Sequence, residues 1–425
     1  MKKGFDLRLI INNILYEIYK EKTTLDSSLN KYASTKLSAR DKNFIFNVCL
    51  NSMRFNFHAK KILKLFTKKK CKLREEILLY SAITQIVFLN FKSYAVIDSS
   101  VEVAKKKKMF HPFINACLRR IDKNKTKLKD IKIHYSDLPK WFIEKTENLN
   151  ISEKEQFINN FYKEPSIHIV FKNNKSLSKF EEKIKVTSDN SGFLINRKKV
   201  QDIPSYKDGL WWIQDFSSSF PLNNINEKIF KKSCIDMCAA PGGKAFQVLA
   251  KKGNLIMNDK SKKRIEMLNE NLKRLKFKGK IMNIDFQKNN LDKKFDFIIL
   301  DSPCSAIGTI RKNPEIFYRN KIPDFSNLRK LQMDLLQKSS LILNKNGIIL
   351  YMVCSFLKAE TTNIVQYFLS KNKNFLINDF FYKDKNLWYK KLIKKNSLHT
   401  IPTTLENYSI DGYFAIYLKK SNEDN

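Results

Sequence analysis

Two cysteines and one aspartate stand at the ends of apolar runs and could perform covalent chemistry. Asp301 and Cys304 follow the run Phe297–Leu300, which has the length of a buried strand, and Cys354 ends a second run, Ile348–Val353. The proline before Cys304 lacks an amide hydrogen and has a fixed φ, so a central strand should end there. Two thiols and a carboxylate are therefore predicted beyond the carboxyl ends of strands, where open α/β sheets bind ligands.

A pair of thiols suits methylation of carbon 5 of cytosine. Carbon 5 is a poor nucleophile until a thiolate adds to carbon 6, and a second group must later remove the carbon 5 proton so that the thiolate is expelled. Cys304 and Cys354 at neighbouring strand ends fit this division of roles, with a locally lowered pKa for the attacking thiol. The alternative interpretation is that both cysteines are inert small residues of the core.

Four of the predicted strands end at an aspartate, which places a row of carboxylates along one edge of the sheet. The four acids are Asp236, Asp259, Asp285 and Asp301. After the first acid comes a segment of small residues with two glycines, which lets a ligand approach the backbone, and the next helix offers free amides to an anion. The candidate binding residues of this segment are Cys238, Ala239, Ala240, Pro241, Gly242, Gly243 and Lys244.

The ligand expected at this edge is a nucleoside without phosphates. The glycine spacing matches neither the dinucleotide fingerprint nor the Walker loop, which argues against a pyrophosphate. Asp259 follows the second strand and suits ribose hydroxyls, while Asp285 follows the third and could reach the adenine side. S-adenosylmethionine, a nucleoside with a small carboxylate-bearing tail, fits these groups. The alternative is that Gly242 and Gly243 form an ordinary strand-to-helix turn.

Strand-like and helix-like segments alternate from about residue 206 onward. Helices with one apolar face separate most of the strands, and this alternation predicts a Rossmann-like α/β domain with a parallel sheet covered on both faces. The five predicted strands are Cys234–Asp236, Leu255–Asn258, Ile281–Ile284, Phe297–Leu300 and Ile348–Val353.

The rest of the chain differs in character. Residues 1–135 are predicted to form an all-α bundle, because Gly and Pro are scarce and apolar residues recur at helical spacing. Residues 136–205 are mixed, with a short strand at 167–171, and indicate a small α+β module. Residues 206–425 then form the α/β domain.

Charge is the strongest compositional signal in this chain of 425 residues. Eighty Lys and Arg against 42 Asp and Glu give a formal net charge of +38, which favours a polyanionic partner such as a nucleic acid. The alternative is codon bias toward lysine, with many lysines only solvating the surface. Seven cysteines without a Cys-x-x-Cys pair and five histidines argue against disulfides and a metal site. No run suits a membrane span or signal peptide, so a cytoplasmic protein without membrane contact is expected.

Several motifs resemble known families. Ser38–Asp41, Leu79–Leu89 and Phe113–Arg120 resemble the NusB-like RNA-binding domain. Residues 136–205 resemble the RNA-contacting module of RNA cytosine methyltransferases. The motifs that resemble the catalytic domain of the RNA (cytosine-5) methyltransferase superfamily are Gln214–Ser217, Asp236–Lys244, Asp301–Ser305, Val353–Ser355 with Glu360, and Asp411–Phe414. As a whole the chain is similar to the bacterial 16S rRNA cytosine-C5 methyltransferase B family.

The resemblance implies an S-adenosylmethionine-dependent enzyme that acts, as a monomer without metal, on 16S rRNA, either naked or in an early small-subunit particle. It implies that Cys354 is the nucleophile and that Cys304 assists release. Cofactor binding falls to Cys238–Lys244, Asp259, Asp285 and Asp301, the last also facing the target base. The chain departs from the family pattern at Ala245, Ser302, Ile307 and Val353, which puts rate and fine specificity in question.

Some expectations concern RNA contacts and competing functions. Arg119, Arg120 and Lys105–Lys108 are candidate phosphate contacts in the helical domain, and Arg311 and Lys312 after the catalytic loop are candidates for the phosphates that flank the target. The sequence of the catalytic half alone does not indicate which RNA is the substrate, so a tRNA cytosine-C5 methyltransferase is an alternative. A non-catalytic RNA-binding assembly factor is a second alternative, although both cysteines and all four acids are present.

Overall fold

The computed structural model describes residues 3–21, 23–33, 37–68, 71–196, 198–318, 322–381 and 391–422. The chain divides into two compact units. The helical unit comprises Met1–Lys163 and Ile310–Pro323, and the α/β unit comprises Glu164–Thr309 and Asp324–Asn425.

The helical unit confirms the predicted all-α N-terminal part. Apolar residues spaced three and four apart, among them Leu79 and Ile83, are buried in one core. The hydroxyl of Ser38 accepts a hydrogen bond from the amide of Asp41 (3.2 Å) and caps the third helix. The helices are Lys3–Lys20 (α1), Leu25–Tyr32 (α2), Ala39–Arg54 (α3), Asn56–Phe66 (α4), Leu73–Ile83 (α5), Ser93–Lys106 (α6), His111–Leu128 (α7), Lys140–Lys145 (α8) and Ile151–Phe161 (α9), with a π-helical turn at Thr84–Phe88.

The segment Ile310–Pro323 is packed within the helical unit, although it follows the predicted catalytic loop in sequence. Arg54 Nη2 donates to the carbonyl of Arg311 at 3.0 Å, and the rings of Tyr19 and Tyr318 stack with centroids 5.3 Å apart. The side chain of Arg311 is fully buried. The prediction that Arg311 holds an RNA phosphate is therefore wrong, because its guanidinium is enclosed by protein.

A small antiparallel sheet opens the α/β unit and includes the strand predicted at 167–171. The sheet order is β2-β3-β1-β4. Its strands are His168–Phe171 (β1), Ile184–Ser188 (β2), Ser191–Leu194 (β3) and Trp211–Ile213 (β4), with a short helix at Asn174–Ser178 (α10).

The main sheet contains the five predicted parallel strands side by side, and the third of them, Lys280–Met282 instead of Ile281–Ile284, forms one edge of the sheet. The strands are Cys234–Asp236 (β5), Leu255–Asn258 (β6), Lys280–Met282 (β7), Phe295–Asp301 (β8), Leu343–Val353 (β9), Phe375–Asn378 (β10), Ile393–Lys394 (β11), Ser397–Thr400 (β12) and Tyr413–Lys420 (β15). Thr403–Leu405 (β13) and Tyr408–Ile410 (β14) form a separate hairpin. The helices of this unit are Phe216–Asn223 (α11), Gly243–Ala250 (α12), Lys262–Arg274 (α13), Phe325–Leu341 (α14) and Thr362–Lys371 (α15).

The main sheet is mixed, whereas the sequence predicted only its parallel part. Its order is β11-β12-β15-β9-β8-β5-β6-β7, with β10 paired to β15. Strands β5 to β9 pair in parallel, and β10, β11, β12 and β15 pair antiparallel. The prediction missed these antiparallel strands because the pattern that marks a parallel sheet is alternation with helices, and a strand joined by loops lacks it.

Buried strands β8 and β9 separate two cores. Side chains alternate between the faces of a strand, so Phe297 and Ile299 join one core while Ile298 and Leu300 join the other. This burial on both faces explains the uninterrupted apolar runs in the sequence. Within the described part of the chain, no helix has the length and apolar character of a membrane span.

Candidate active site

Strand register brings the predicted catalytic groups to one edge of the main sheet. Strands β8 and β9 pair in parallel with Asp301 opposite Met352, so Cys354 lies two residues beyond the partner of Asp301. Strand β5 pairs with β8 through Asp236 and Ile299. The carboxyl ends of three adjacent strands therefore carry the two thiol-bearing loops and two of the acids.

The two cysteines meet at this edge as unoxidised thiols. The Sγ atoms of Cys304 and Cys354 lie 3.3 Å apart within hydrogen-bond distance. The hydrogen bond to Cys354, together with burial, raises the pKa of Cys304 well above its usual range. Cys304 therefore stays protonated at neutral pH and can donate its proton toward Cys354.

A buried carboxylate joins the loops that carry the cysteines. Glu360 accepts hydrogen bonds from the amide and hydroxyl of Ser305, at 2.8 and 2.5 Å, and from the hydroxyl of Ser355 at 2.6 Å. Gln332 Nε2 donates to the same carboxylate at 3.2 Å and to the carbonyl of Pro303 at 3.0 Å. Each serine is next to a cysteine in sequence, so Glu360 sets the separation of the two thiols.

Backbone hydrogen bonds of Gly308 also hold the loop after Cys304 in place. The amide of Gly308 donates to the carbonyl of Cys354 at 3.0 Å, and the amide of Gly412 donates to the carbonyl of Gly308 at 2.9 Å. A Cβ atom at Gly308 would lie 1.8 Å from the carbonyl oxygen of Gly412. Only glycine fits this position.

Asp301 is oriented by two neighbours. Lys244 Nζ lies 2.7 Å from Asp301 Oδ2, and the phenol of Tyr413 donates to Asp301 Oδ1 at 2.9 Å. Burial raises the pKa of Tyr413 well above its usual range, so the phenol remains a donor. The carboxylate of Asp301 is thus held in one orientation and stays about one-third exposed (31%).

Asp236 lies at the same edge but is enclosed. Burial raises the pKa of Asp236 to about 7, and the nearby charge of Asp301 acts in the same direction. Its Oδ1 accepts a hydrogen bond from the amide of Cys238 at 3.2 Å. Burial also raises the pKa of Cys238, which makes this third thiol of the region unsuited to nucleophilic attack.

The loops after β5, β6 and β7 have donors and acceptors that fit S-adenosylmethionine. Asp259 Oδ1 accepts from the amide of Ser261 at 2.9 Å. Its Oδ2 forms an ion pair with Arg264 Nη1 at 3.2 Å and accepts no hydrogen bond from a described residue. This spare acceptor fits a ribose hydroxyl. Gly242 begins α12 with a φ of 117° and without a side-chain cap, which leaves its first amides suited to a carboxylate.

Only some of the predicted binding residues line the cavity that contains Cys354. A cavity of about 420 Å³ in the α/β unit is lined by five of them: Pro241, Gly243, Lys244, Asp301 and Cys354. Its lining does not include the other predicted site residues, which are Cys238, Ala239, Ala240, Gly242, Asp259, Asp285 and Cys304. Asp285 accepts from the amide of Gln287 at 3.1 Å. The peptide bond between Ala240 and Pro241 is cis.

Three residues of the site region were not among the predicted site residues. Tyr413 and Glu360 occur in the motifs that carry the family resemblance, but their contacts depend on strands distant in sequence. Asn258 donates to the carbonyls of Met237 and Ile284, both at 3.0 Å, and so joins the loops after three strands. The sequence did offer a signal for Asn258, because it is a polar residue at the end of a buried strand.

The positions that depart from the family pattern are buried beside the site. Ala245, Ile307 and Val353 are fully buried, and Ser302 is 3% exposed. The hydroxyl of Ser302 has no hydrogen-bond partner among the described residues. In that same set, no three His, Cys, Asp or Glu side chains are grouped so that they could hold a metal ion.

The Rossmann-like strand order, the strand-end acids and the helical unit define a methyltransferase domain joined to an all-α domain. Residues 223–419 match the family model described as 16S rRNA methyltransferase RsmB/F, and residues 6–123 match the NusB family model. These two matches identify a methyltransferase domain similar to the RsmB/F methyltransferases and a NusB domain, and they support an S-adenosylmethionine-dependent RNA methyltransferase.

Curated relatives match the chain over most of its length. The chain is 26% identical over 390 residues to ribosomal RNA small subunit methyltransferase B of Shewanella oneidensis, covering 86% of this chain and 90% of that protein. The protein of the same name from Serratia proteamaculans is 24% identical over 395 residues, covering 88% of this chain and 92% of the relative.

Solved structures share the fold at low sequence identity. The crystal structure of PH0851 covers 98% of this chain and 99% of its own, with a TM-score of 0.70 and 18% identity. The structure of NSun6 from Pyrococcus horikoshii with SFG covers 67% of this chain and 99% of its own, with a TM-score of 0.54 and 17% identity. These likenesses show a shared fold.

Proposed function

We propose that the protein methylates carbon 5 of a cytidine in 16S rRNA, with S-adenosylmethionine as methyl donor and Cys354 as covalent nucleophile. The observation that carries the proposal is the meeting of two free thiols, 3.3 Å apart, at the strand ends beside Asp301. The proposal places the protein in the cytoplasm, acting as a monomer on naked rRNA or an early small-subunit particle.

Cys354 is the better placed nucleophile, because it lines the cavity that also holds Asp301, whereas Cys304 does not. Its thiolate adds to carbon 6 of cytosine, and the electron pair of the 5,6 double bond becomes available at carbon 5. Cys304, held as a thiol, stabilises the developing thiolate of Cys354 by donating a hydrogen bond.

Asp301 orients the target base. Lys244 and Tyr413 fix its carboxylate, so that it can accept a hydrogen bond from the exocyclic amine of cytosine. The cytidine must be turned out of its stack to reach this position. After methyl uptake, Cys304 is proposed to take the carbon 5 proton while its own thiol proton passes to the sulfur of Cys354, 3.3 Å away. The double bond is thereby restored and Cys354 leaves as a thiol.

S-adenosylmethionine supplies the methyl group when bound. Asp259 is proposed to accept from the ribose hydroxyls, and Asp285 to face the adenine. The segment Cys238–Lys244 would hold the methionine tail, with the first amides of α12 as donors to its carboxylate.

The test uses the full-length protein with labelled S-adenosylmethionine and 16S rRNA. Cys354→Ala is expected to abolish both methyl transfer and the covalent protein–RNA adduct. Cys304→Ala is expected to accumulate the adduct, seen as a slowly migrating band on denaturing gels, because release is impaired while attack is retained. Normal methylation by both variants would contradict the assignment of the two thiols.

A mapping experiment tests the choice of RNA. Sequencing of 5-methylcytidine in total RNA, with and without the gene, is expected to show one 16S rRNA cytidine that loses its methyl group. Loss at a tRNA position instead would favour the tRNA alternative, and the absence of any change would favour a non-catalytic assembly role.

A further inference from the structure

The cavity that contains Cys354 extends past the catalytic groups to a cation stacked on an aromatic ring. Tyr206, Trp212 and Arg274 line this further part of the same cavity. The guanidinium of Arg274 lies 4.2 Å from the centroid of the Tyr206 ring, a cation–π distance. The proposed reaction assigns no role to this pair.

The pair is held rigidly by the backbone around it. Arg274 Nη1 donates to the carbonyls of Tyr206, at 3.0 Å, and Trp211, at 3.1 Å. Gly209, with a φ of 69°, lets the loop lie directly on the end of α13, since a Cβ there would be 1.9 Å from the carbonyl oxygen of Arg274. Tyr206 is therefore presented to the cavity in a fixed position, and ordering it on binding costs little conformational entropy.

Two further cations, Lys172 and Lys276, lie near Arg274 but outside the lining of the cavity, which includes the acids Asp215, Asp301 and Asp411. The ammonium of Lys172 lies 5.0 Å from the centroid of the ring of Phe277, the residue that follows Lys276 in sequence. Burial and the nearby charges of Lys276 and Arg274 lower the pKa of Lys172. None of the three forms an ion pair with a described residue. Such a group of cations is suited to an anionic ligand.

We propose that this part of the cavity binds a nucleotide adjacent to the target cytidine, its base on Tyr206 and its phosphate near Lys172, Arg274 and Lys276. The inference rests on the proposed function, because the RNA strand has to enter the cavity beside Cys354. Turning the target base out removes a stacking partner from its neighbour, and Tyr206 replaces that partner.

The chemistry of the subsite predicts how it acts. Every base can stack on an aromatic ring. Removing the base should therefore weaken binding more than replacing it with another base. The contact is remote from carbon 5 and equally strong before and during methyl transfer. It should therefore lower the KM for RNA and leave kcat largely unchanged.

The first test compares two substitutions of Tyr206 in the full-length enzyme, with a methylatable 16S rRNA fragment as substrate. Tyr206→Ala is expected to raise the KM for RNA about 5-fold or more, the range for loss of one stacked base. Tyr206→Phe keeps the ring and should retain the wild-type KM. The Kd for S-adenosylmethionine should be the same in all three proteins.

The second test identifies the nucleotide through coupling. RNA fragments with an abasic residue on the 5′ or the 3′ side of the target are compared with the intact fragment. One of the two abasic positions should raise the KM for the wild type about 5-fold and have no effect on Tyr206→Ala, because the missing base and the missing ring remove the same contact. If Tyr206→Ala does not fold, the KM values of the wild-type enzyme for the intact and abasic fragments still test the proposal.

The third test addresses the cations. Lys276→Ala should reduce the slope of log affinity against log salt by about 0.7, the value for one phosphate contact of a single strand. Lys371→Ala removes an exposed lysine at the end of α15 and should leave the slope unchanged.

The inference is overturned if both abasic positions leave the wild-type KM unchanged, or if Tyr206→Ala has the wild-type KM with every fragment. The contact between Arg274 and Tyr206 would then only stabilise the loop that contains Tyr206. Failure of the proposed function has a different signature, since the wild type would then transfer no methyl group to any of these fragments.

Discussion

Asp236, at the end of β5, is an acid whose ionisation the fold changes strongly. Its carboxyl is almost completely enclosed (1% exposed), and water is replaced by apolar protein and a neighbouring carboxylate. Burial therefore raises its pKa to about 7, whereas Asp301 at the same edge keeps a lysine and a phenol as partners. Two aspartates with the same place in the sequence pattern thus have different chemistry, and Asp301 is the one suited to contact a substrate.

Replacement of Asp236 tests this difference through the pH dependence of stability. Between about pH 4 and about pH 7 the folded protein holds a proton that the unfolded chain has lost, so the free energy of unfolding falls as pH rises through this window. Asp236→Asn should remove this fall. The variant should match the wild type near pH 4 and be more stable at pH 8, by up to about 4 kcal/mol for a shift of this size.

Urea unfolding at a series of pH values provides the measurement. Asp130→Asn, which alters an exposed acid of the helical unit, serves as the control and should keep the wild-type slope. A parallel pH profile for Asp236→Asn and the wild type would mean that Asp236 is ionised freely in the folded state.

At the scale of elements, the site depends on how two strand-end loops are joined. Strands β8 and β9 are neighbours, which places the loops of Cys304 and Cys354 at one edge, but register alone does not hold two sulfur atoms 3.3 Å apart. Glu360 does so from the turn before α15, by accepting from a serine of each loop. The two thiols are thus brought together by β8, β9 and the turn before α15.

Glu360→Gln should loosen this connection. A neutral amide has one acceptor atom in place of two, so at least one buried donor of Ser305, Ser355 or Gln332 loses its partner. We expect the free energy of unfolding to fall by about 1–3 kcal/mol, and kcat to fall more than the KM for RNA rises. Urea unfolding and steady-state kinetics measure the two effects.

Glu266→Gln, on the exposed face of α13, is the matched control and should change neither quantity measurably. Wild-type stability and kcat in Glu360→Gln would show that the cysteine loops keep their positions without the carboxylate.

At the scale of the whole molecule, the net charge of the protein favours association with RNA. A formal net charge of +38 attracts RNA from a distance, and each phosphate contact releases counterions. The division into domains of residues 1–135, 136–205 and 206–425 stays a prediction, because the two compact units group segments by contacts and not by independent folding. In that grouping, the segment Ile310–Pro323, which follows the loop of Cys304 in sequence, belongs to the helical unit.

The excess charge predicts a steep salt dependence of RNA affinity. Between 50 and 200 mM salt, the affinity of the full-length protein for a 16S rRNA fragment should fall at least about tenfold, as measured by fluorescence anisotropy. Affinity for S-adenosylmethionine should change little over this range. An RNA affinity that is independent of salt would mean that the lysines mainly solvate the surface.

The sequence alone determined the parallel strands, the all-α N-terminal part and the row of acids and thiols. These are local features, since an apolar run, a helical period and a proline after a strand act through neighbouring residues. Strand-end residues could be assigned to one edge because parallel strands point the same way. The class of the protein followed from the same residues.

Tertiary structure alone decided which strand-end groups meet and which are enclosed. The sequence pattern could not distinguish Asp236 from Asp301, nor show that Arg311 is buried, because enclosure depends on segments far away in the chain. The antiparallel strands and the contacts of Glu360 and Tyr413 have the same cause: the partner residues lie on other elements. Local sequence specifies how each segment folds, and only the packing of distant segments places their side chains together.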